Sequence, residues 1–355
     1  MSKIKVGITH GDPNGIGYEV ILKTFADPAM MDLCTPIIYG SPKVASYHRK
    51  SLDLQTNFAT VNSANDVRED SLNLIHCCAD EVKIDLGQPT EEAGKAAFDA
   101  LERAVKDWRD GLIDVIVTAP INKSSIQGDA FHFPGHTEYI QDRVGREGQK
   151  ALMILMNERI RVALVTTHLP ISKVAAAVTE EAVLERLRTF HHSLQADFGI
   201  SNPRIAVLSL NPHAGEDGLL GSEENDAIRP ACEKAEAEDI IAYGPFAADG
   251  FFGTRAYEHY DGVLAMYHDQ GLAPFKLLAM DDGVNVTAGL DIVRTSPDHG
   301  TGYDIAGKGV ASENSFRQAI YAAIDIFRNR QAWNEAHQNP LQKLYVDKRD
   351  KSERG

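Results

Sequence analysis

The sequence predicts an α/β protein built on a mainly parallel sheet with flanking helices. Short apolar, β-branched runs alternate with longer stretches of helical character. The centres of those runs are apolar throughout rather than on every second residue, which suits strands covered on both faces. The 355 residues contain no internal repeat, low-complexity linker or composition break, so the two lobes that this length suggests are expected to be interleaved.

The elements follow in order along the chain. Residues 5–9 form the first strand candidate, and a helix is expected from about Gly15. Residues 36–39 and 72–75 are the next apolar runs, and the helix-like stretch 91–110 leads into a strand at 114–118. Further strands are expected at 161–166, 204–208, 240–243 and 262–266. The last apolar helix is placed at 316–327, and the polar, charge-rich segment 337–355 is expected to fray beyond it.

The formal net charge of −15, with no Lys/Arg cluster to meet phosphates, argues against nucleic-acid binding, although a small anion can still be received in a locally positive cleft. The four cysteines have no zinc-site spacing, and adjacent Cys77 and Cys78 make a poor disulfide pair, which fits a reducing compartment. The opening residues turn polar too soon for a signal-peptide core, and no later run could span a bilayer, so a cytoplasmic protein without membrane contact is expected.

Four segments follow apolar runs: TAPINK from Thr118, TTHLP from Thr166, LNPHAGE from Leu210 and MYHDQG from Met266. Residues just past the carboxyl ends of strands in open α/β sheets converge on a ligand crevice. His168, His213 and His268 are therefore a candidate metal triad, three neutral imidazoles suited to an ion such as zinc. The competing reading is three unrelated histidines, each satisfying local hydrogen bonds. In FPGHTEY, Pro134 and Gly135 shape a turn before His136 and Thr137, which can address phosphate or carboxylate oxygens; alternatively Thr137 only caps a helix. Lys276, Asn285 and Arg294 add a charge, an amide and a planar guanidinium fork for anionic oxygens. The opening THGDPNGIGYE matches neither the dinucleotide fingerprint nor the Walker phosphate loop.

Taken together, HGDPNGIG, TAPINK, FPGHTEY, NPHAGE, MYHDQGL and RTSPDHGTGYDIAGKG resemble the 4-hydroxythreonine-4-phosphate dehydrogenase family over residues 9–309. The resemblance implies a two-lobed α/β/α fold similar to isocitrate and isopropylmalate dehydrogenases, without a standard Rossmann fingerprint. Residues 1–128 with 276–355 would form the first lobe, carrying the NAD loop, and 129–275 the second. It implies a homodimer with its cleft near the subunit interface, and a divalent metal on His168, His213 and His268: zinc, with magnesium or cobalt as alternatives. His136, Thr137, Lys276, Asn285 and Arg294 would bind a small phosphorylated hydroxy amino acid. NAD, with NADP as the alternative, would meet His299, Gly300, Asp304 and Gly307. Gly302 stands where many members have alanine, a departure that bears on the rigidity of this loop.

The implied reaction is oxidation of 4-phosphohydroxy-L-threonine at C3 and decarboxylation to 3-amino-2-oxopropyl phosphate, in pyridoxal 5'-phosphate biosynthesis. Lys276, Asp249 and Asp269 are candidates for acid/base or orienting roles, with a structural role open for Asp269. The alternatives are a dehydrogenase of 4-phospho-D-threonate or 4-phospho-D-erythronate, and a noncatalytic metal- or phosphate-binding protein.

Overall fold

The computed structural model describes residues 3–79, 82–128, 131–133 and 135–339. Pro134 of the expected turn and residues 340–355 of the expected tail lie outside the described residues.

Among the described residues the strands are β1 (Ile4–Thr9), β2 (Cys34–Gly40), β3 (Ala59–Val61), β4 (Asn73–His76), β5 (Val115–Thr118), β6 (Leu152–Met156), β7 (Arg161–Leu164), β8 (Arg204–Leu208), β9 (Ile241–Phe246), β10 (Gly262–Ala265), β11 (Val284–Ala288) and β12 (Arg294–Pro297). They form one sheet in the order β3-β4-β2-β1-β5-β12-β11-β6-β7-β10-β8-β9. Each expected strand is present. The inner apolar runs are covered on both faces as anticipated, every residue of β2, β5 and β10 being buried, whereas β9 at the sheet edge leaves Ile241 and Tyr243 exposed.

The sheet is mainly parallel, but its centre is not. β12 pairs parallel with β5, whereas β11 pairs antiparallel with both β12 and β6, and β6 pairs antiparallel with β7. The parallel run from β3 to β12 therefore points opposite to the run from β7 to β9. The sequence reading missed β3 and the three strands that make this reversal. Arg-Thr-Ser-Pro at β12 and the polar Asn285 and Thr287 in β11 read as loop chemistry. These strands put polar side chains on a buried surface because that surface is the site.

Two helices fix the site from behind. Helix Glu91–Arg109 starts at Thr90, whose hydroxyl accepts from the Ala93 N–H, and buries an alanine-rich face including Ala93, Ala97, Ala100 and Ala104. Gly94 lets it approach the loop after β5: a Cβ there would lie 1.8 Å from the Ser125 carbonyl oxygen. Helix Asn314–His337 extends ten residues past the expected end at Phe327. Its Phe316, Ala319, Ile320 and Ala323 are fully buried, and the Thr295 hydroxyl of β12 donates to the Ala319 carbonyl at 2.7 Å.

Candidate active site

A cavity of about 260 Å³ lies on the face of the sheet where the strand direction reverses. Side chains alternate between faces along a strand, so Arg294 and Ser296 of β12, Asn285 of β11 and Met153 of β6 share its floor with Thr118 at the end of β5. The walls come from residues 119–123, the start of helix His136–Val144, His168 after β7, Lys276 of helix His268–Ala279, and residues 298–300 after β12. Of the four strand-end segments expected to converge, TAPINK and TTHLP reach this cavity whereas LNPHAGE and MYHDQG do not line it, and the sheet floor was not anticipated.

Arg294 is the dominant charge. Its side chain is buried, and its hydrogen-bond partners are hydroxyls: Nε and Nη2 donate to Thr118 Oγ1 at 3.1 and 2.6 Å, and Nη1 donates to Thr287 Oγ1 at 3.2 Å. Burial pulls its pKa down to about 10, partly opposed by Glu138. A buried cation whose partners are only hydroxyls is unfavourable until an anion joins it.

Beside it, His136 Nε2 and Asn285 Oδ1 are buried polar atoms without partners. Burial, with the charges of Arg294 and Lys123, holds the His136 imidazole well below its ordinary pKa, so it is neutral. Asn285 can present its oxygen or its NH₂ to a ligand by an amide flip. Helix His136–Val144 begins after Gly135 without a side-chain cap, so Thr137 is not a capping residue; its hydroxyl lies 3.5 Å from that of Thr287. Lys276 Nζ donates to the Asp298 carbonyl at 3.3 Å and lies 3.8 Å from its carboxylate. Burial raises the Asp298 pKa, while burial lowers that of His299, whose Nε2 is also without a partner. One structure thus gathers His136, Thr137, Lys276, Asn285, Arg294, His299 and Gly300 around one cavity.

The three candidate metal histidines separate into two places. The His168 and His268 rings face each other with centroids 6.0 Å apart. A carboxylate stands at each Nδ1: Glu138 at 3.6 Å from His168, and Asp269 at 2.7 Å from His268. His213 lies in a different hollow with Asp249, Asn211 and Leu277, on a stretch where His213, Ala214, Glu216 and Asp217 all take positive φ. Among the described residues no three metal-binding side chains converge. Asp249 is therefore away from the cavity, and Asp269 is exposed with its carboxylate on His268.

Asp304 and Gly307 also lie beyond the cavity, on a segment packed against the opening loop. The Ile16 N–H donates to the Thr301 carbonyl at 2.9 Å, and the Tyr303 hydroxyl donates to Asp12 at 2.6 Å. Gly302 has φ +56°, and a Cβ there would sit 2.9 Å from Ile16 Cδ1, so glycine suits the conformation this chain adopts.

Two wall residues were missed. Lys123 Nζ is 3.4 Å from His168 Nε2, and Glu138 has its pKa lowered chiefly by the adjacent His168. Both sit inside motifs already noticed, TAPINK and FPGHTEY, but their significance depends on a neighbour from β7 that sequence order does not supply.

Comparison with known proteins places the chain in a family. Residues 32–323 match the family described as pyridoxal phosphate biosynthetic protein PdxA. The chain is 64% identical over 353 residues, covering 99% of itself and 97% of the relative, to a 4-hydroxythreonine-4-phosphate dehydrogenase of Bacteroides thetaiotaomicron. A relative in Oceanobacillus iheyensis, 37% identical over 90% of this chain and 97% of its own, is provisionally named a D-threonate 4-phosphate dehydrogenase. Among solved structures, a 4-hydroxythreonine-4-phosphate dehydrogenase from Klebsiella pneumoniae superposes with a TM-score of 0.78 at 32% identity, over 92% of this chain and 98% of that one. One from Burkholderia phymatum gives 0.74 at 34% identity, over 92% and 99%. The chain belongs to the PdxA family of pyridoxal phosphate biosynthetic proteins.

Proposed function

We propose that this chain is an NAD-dependent dehydrogenase that oxidises 4-phosphohydroxy-L-threonine at C3 and releases carbon dioxide, giving 3-amino-2-oxopropyl phosphate for pyridoxal 5'-phosphate synthesis. The observation that carries the reading is Arg294, a buried guanidinium with only hydroxyl partners, beside the unpartnered His136 Nε2 and Asn285 amide. A phosphate supplies the missing negative charge, and its oxygens satisfy the open hydrogen-bonding positions. Thr137 adds a hydroxyl and Lys276 a second cation at the cavity wall. Together they hold the phosphorylated end and leave the reacting carbons toward His168. Met153 and Ala119 line the same cavity and limit water around them. Lys276 Nζ carries the proton delivered to carbon after carbon dioxide leaves.

His168 and His268 fit a divalent ion, because each imidazole has a carboxylate at Nδ1 and directs its Nε2 away from it. The Lys123 ammonium at His168 Nε2 is a cation already facing that nitrogen. His168 and His268 would hold such an ion, zinc first with magnesium or cobalt as alternatives, which would supply Lewis acidity, and His299, Gly300, Asp304 and Gly307 would hold NAD or NADP, which would supply the redox chemistry.

One chain brings together only two of the three histidines, which supports a homodimer whose second copy completes the ligand set. The exposed apolar side chains Leu277, Met280 and Ile171 near these hollows support the same arrangement. The two lobes are assigned to 1–128 with 276–355 and to 129–275, which meet where β11 pairs with β6. Four free cysteines support a reducing, cytoplasmic setting. No helix among the described residues is long and apolar enough to cross a membrane.

Side-by-side kcat/KM values for 4-phosphohydroxy-L-threonine, 4-phospho-D-threonate and 4-phospho-D-erythronate test the substrate. Preference for the amino compound is expected. Preference for 4-phospho-D-threonate moves the protein to the activity named for the Oceanobacillus relative, preference for 4-phospho-D-erythronate moves it to a neighbouring sugar-acid activity, and turnover of none of the three overturns the enzyme reading.

A further inference from the structure

Away from the cavity, the sheet places a histidine against two cysteines. His10 follows β1, and Cys77 and Cys78 follow β4, with β2 lying between those strands. His10 is buried, and its ring stacks on that of Tyr18 with centroids 5.1 Å apart. Gly40 leaves room for this ring: a Cβ there would sit 2.8 Å from His10 Cδ2. So held, His10 Nε2 lies 3.5 Å from Cys78 Sγ, whereas its Nδ1 is buried without a partner. Cys77 Sγ is 3.9 Å from Cys78 Sγ, and the Ala96 carbonyl is 3.4 Å away.

The groups around Cys78 act in opposite directions. The Cys77 thiol and the His10 imidazole can donate to its sulfur and favour the thiolate, and their effect is the larger; burial and Asp99 oppose it. The Ala96 carbonyl favours the protonated form, and Tyr18 faces the pair from helix Gly17–Thr24. The net direction for Cys78 is below the ordinary thiol value. Burial instead pushes Cys34 up to about 12 and Cys232 up to about 11, and the Cys78 contact drives Cys77 up. Cys78 is also half-buried rather than sealed, as Cys34 and Cys232 are.

We propose that Cys78 is an oxidation site, converted by hydrogen peroxide to the sulfenic acid ahead of Cys34, Cys77 and Cys232, with His10 as its proton partner. His10 takes the Cys78 thiol proton. The thiolate attacks one peroxide oxygen, so an S–O bond forms as the O–O bond breaks. The departing hydroxide recovers the proton from His10 and leaves as water; the sulfur loses the two electrons that the peroxide gains. Cys77 does not resolve the product to a disulfide, because neighbouring Cα atoms lie about 3.8 Å apart, shorter than the usual disulfide span of about 4.4–6.8 Å.

The test treats the full-length protein with hydrogen peroxide in the presence of dimedone and maps adducts by mass spectrometry. The dominant adduct is expected at Cys78, lost in Cys78→Ser and retained in Cys77→Ser. Iodoacetamide labelling of Cys78 in the unmodified sequence should reach half its maximal rate below the ordinary thiol pKa of about 8.5. His10→Asn should slow that labelling at neutral pH by about tenfold or more. Adducts spread evenly over the four cysteines, or centred on Cys77, overturn the assignment. A labelling midpoint at or above the ordinary thiol value does so without relying on any variant.

Discussion

Arg294 shows how far single residues were legible. Its residue type, with His136, Thr137, Lys276 and Asn285, suggested anion binding before any geometry was available, and the structure adds the reason: a buried fork whose partners are hydroxyls. Arg294→Lys keeps a charge but loses the planar fork. Charged hydrogen bonds contribute about 1.5–3 kcal/mol, so kcat/KM is expected to fall about tenfold to a hundredfold. An unchanged kcat/KM in the folded variant would place the phosphate elsewhere. Lys123 and Glu138 were not legible in the same way, since their contacts with His168 join segments from β5, helix His136–Val144 and β7. His48 carries a pH prediction. Burial lowers its pKa to about 4, only partly offset by its hydrogen bond to the Pro13 carbonyl. The unfolded chain, with a histidine near 6.5, then binds more protons between those values. The His48 contribution, on the order of 3 kcal/mol, is fully present above pH 6.5 and lost as pH falls toward 4. Urea midpoints should therefore drop between pH 7 and pH 5, and less so in His48→Gln. Equal slopes for the two proteins would remove His48 from the acid response.

Elements were legible where one period dominated. The apolar strands β1, β2, β5, β7, β8 and β10 and the helix Glu91–Arg109 follow from pattern, because burial on both faces or an alanine-rich stripe writes itself into the residues. β11 and β12 were hidden by their function: Asn285, Thr287, Arg294 and Ser296 break the apolar rule because they face the ligand cavity or line its charge network. Gly94 ties an element to the site. A methyl at this position would collide with the Ser125 carbonyl, so Gly94→Ala must push the helix from the loop that carries Lys123. Thermal denaturation should show a loss of about 1–3 kcal/mol, the range for overpacking, although alanine is otherwise the better helix former. A stability gain would mean that the close approach does not govern this helix.

At the scale of the whole molecule, the sequence indicated a mainly parallel sheet but not its reversal, because strand order depends on pairings between distant segments. That reversal is what turns a sheet face into the cavity floor. Within the parallel run β7-β10-β8, His168 and His268 face one hollow and His213 another, and the proposed dimer rests on that separation. Leu277, at 88% exposure, is the most open of the large apolar side chains beside these hollows. Leu277→Asp should shift sedimentation velocity toward the monomer and lower metal occupancy with it; an unchanged assembly would remove this surface from the interface. The central claim is tested most directly by measuring NADH and carbon dioxide released from 4-phosphohydroxy-L-threonine by metal-stripped protein and by the same protein after zinc is restored. Equal amounts of both products, formed only after zinc is restored, are the predicted result. Full turnover by the stripped protein, or NADH without carbon dioxide, would contradict the account.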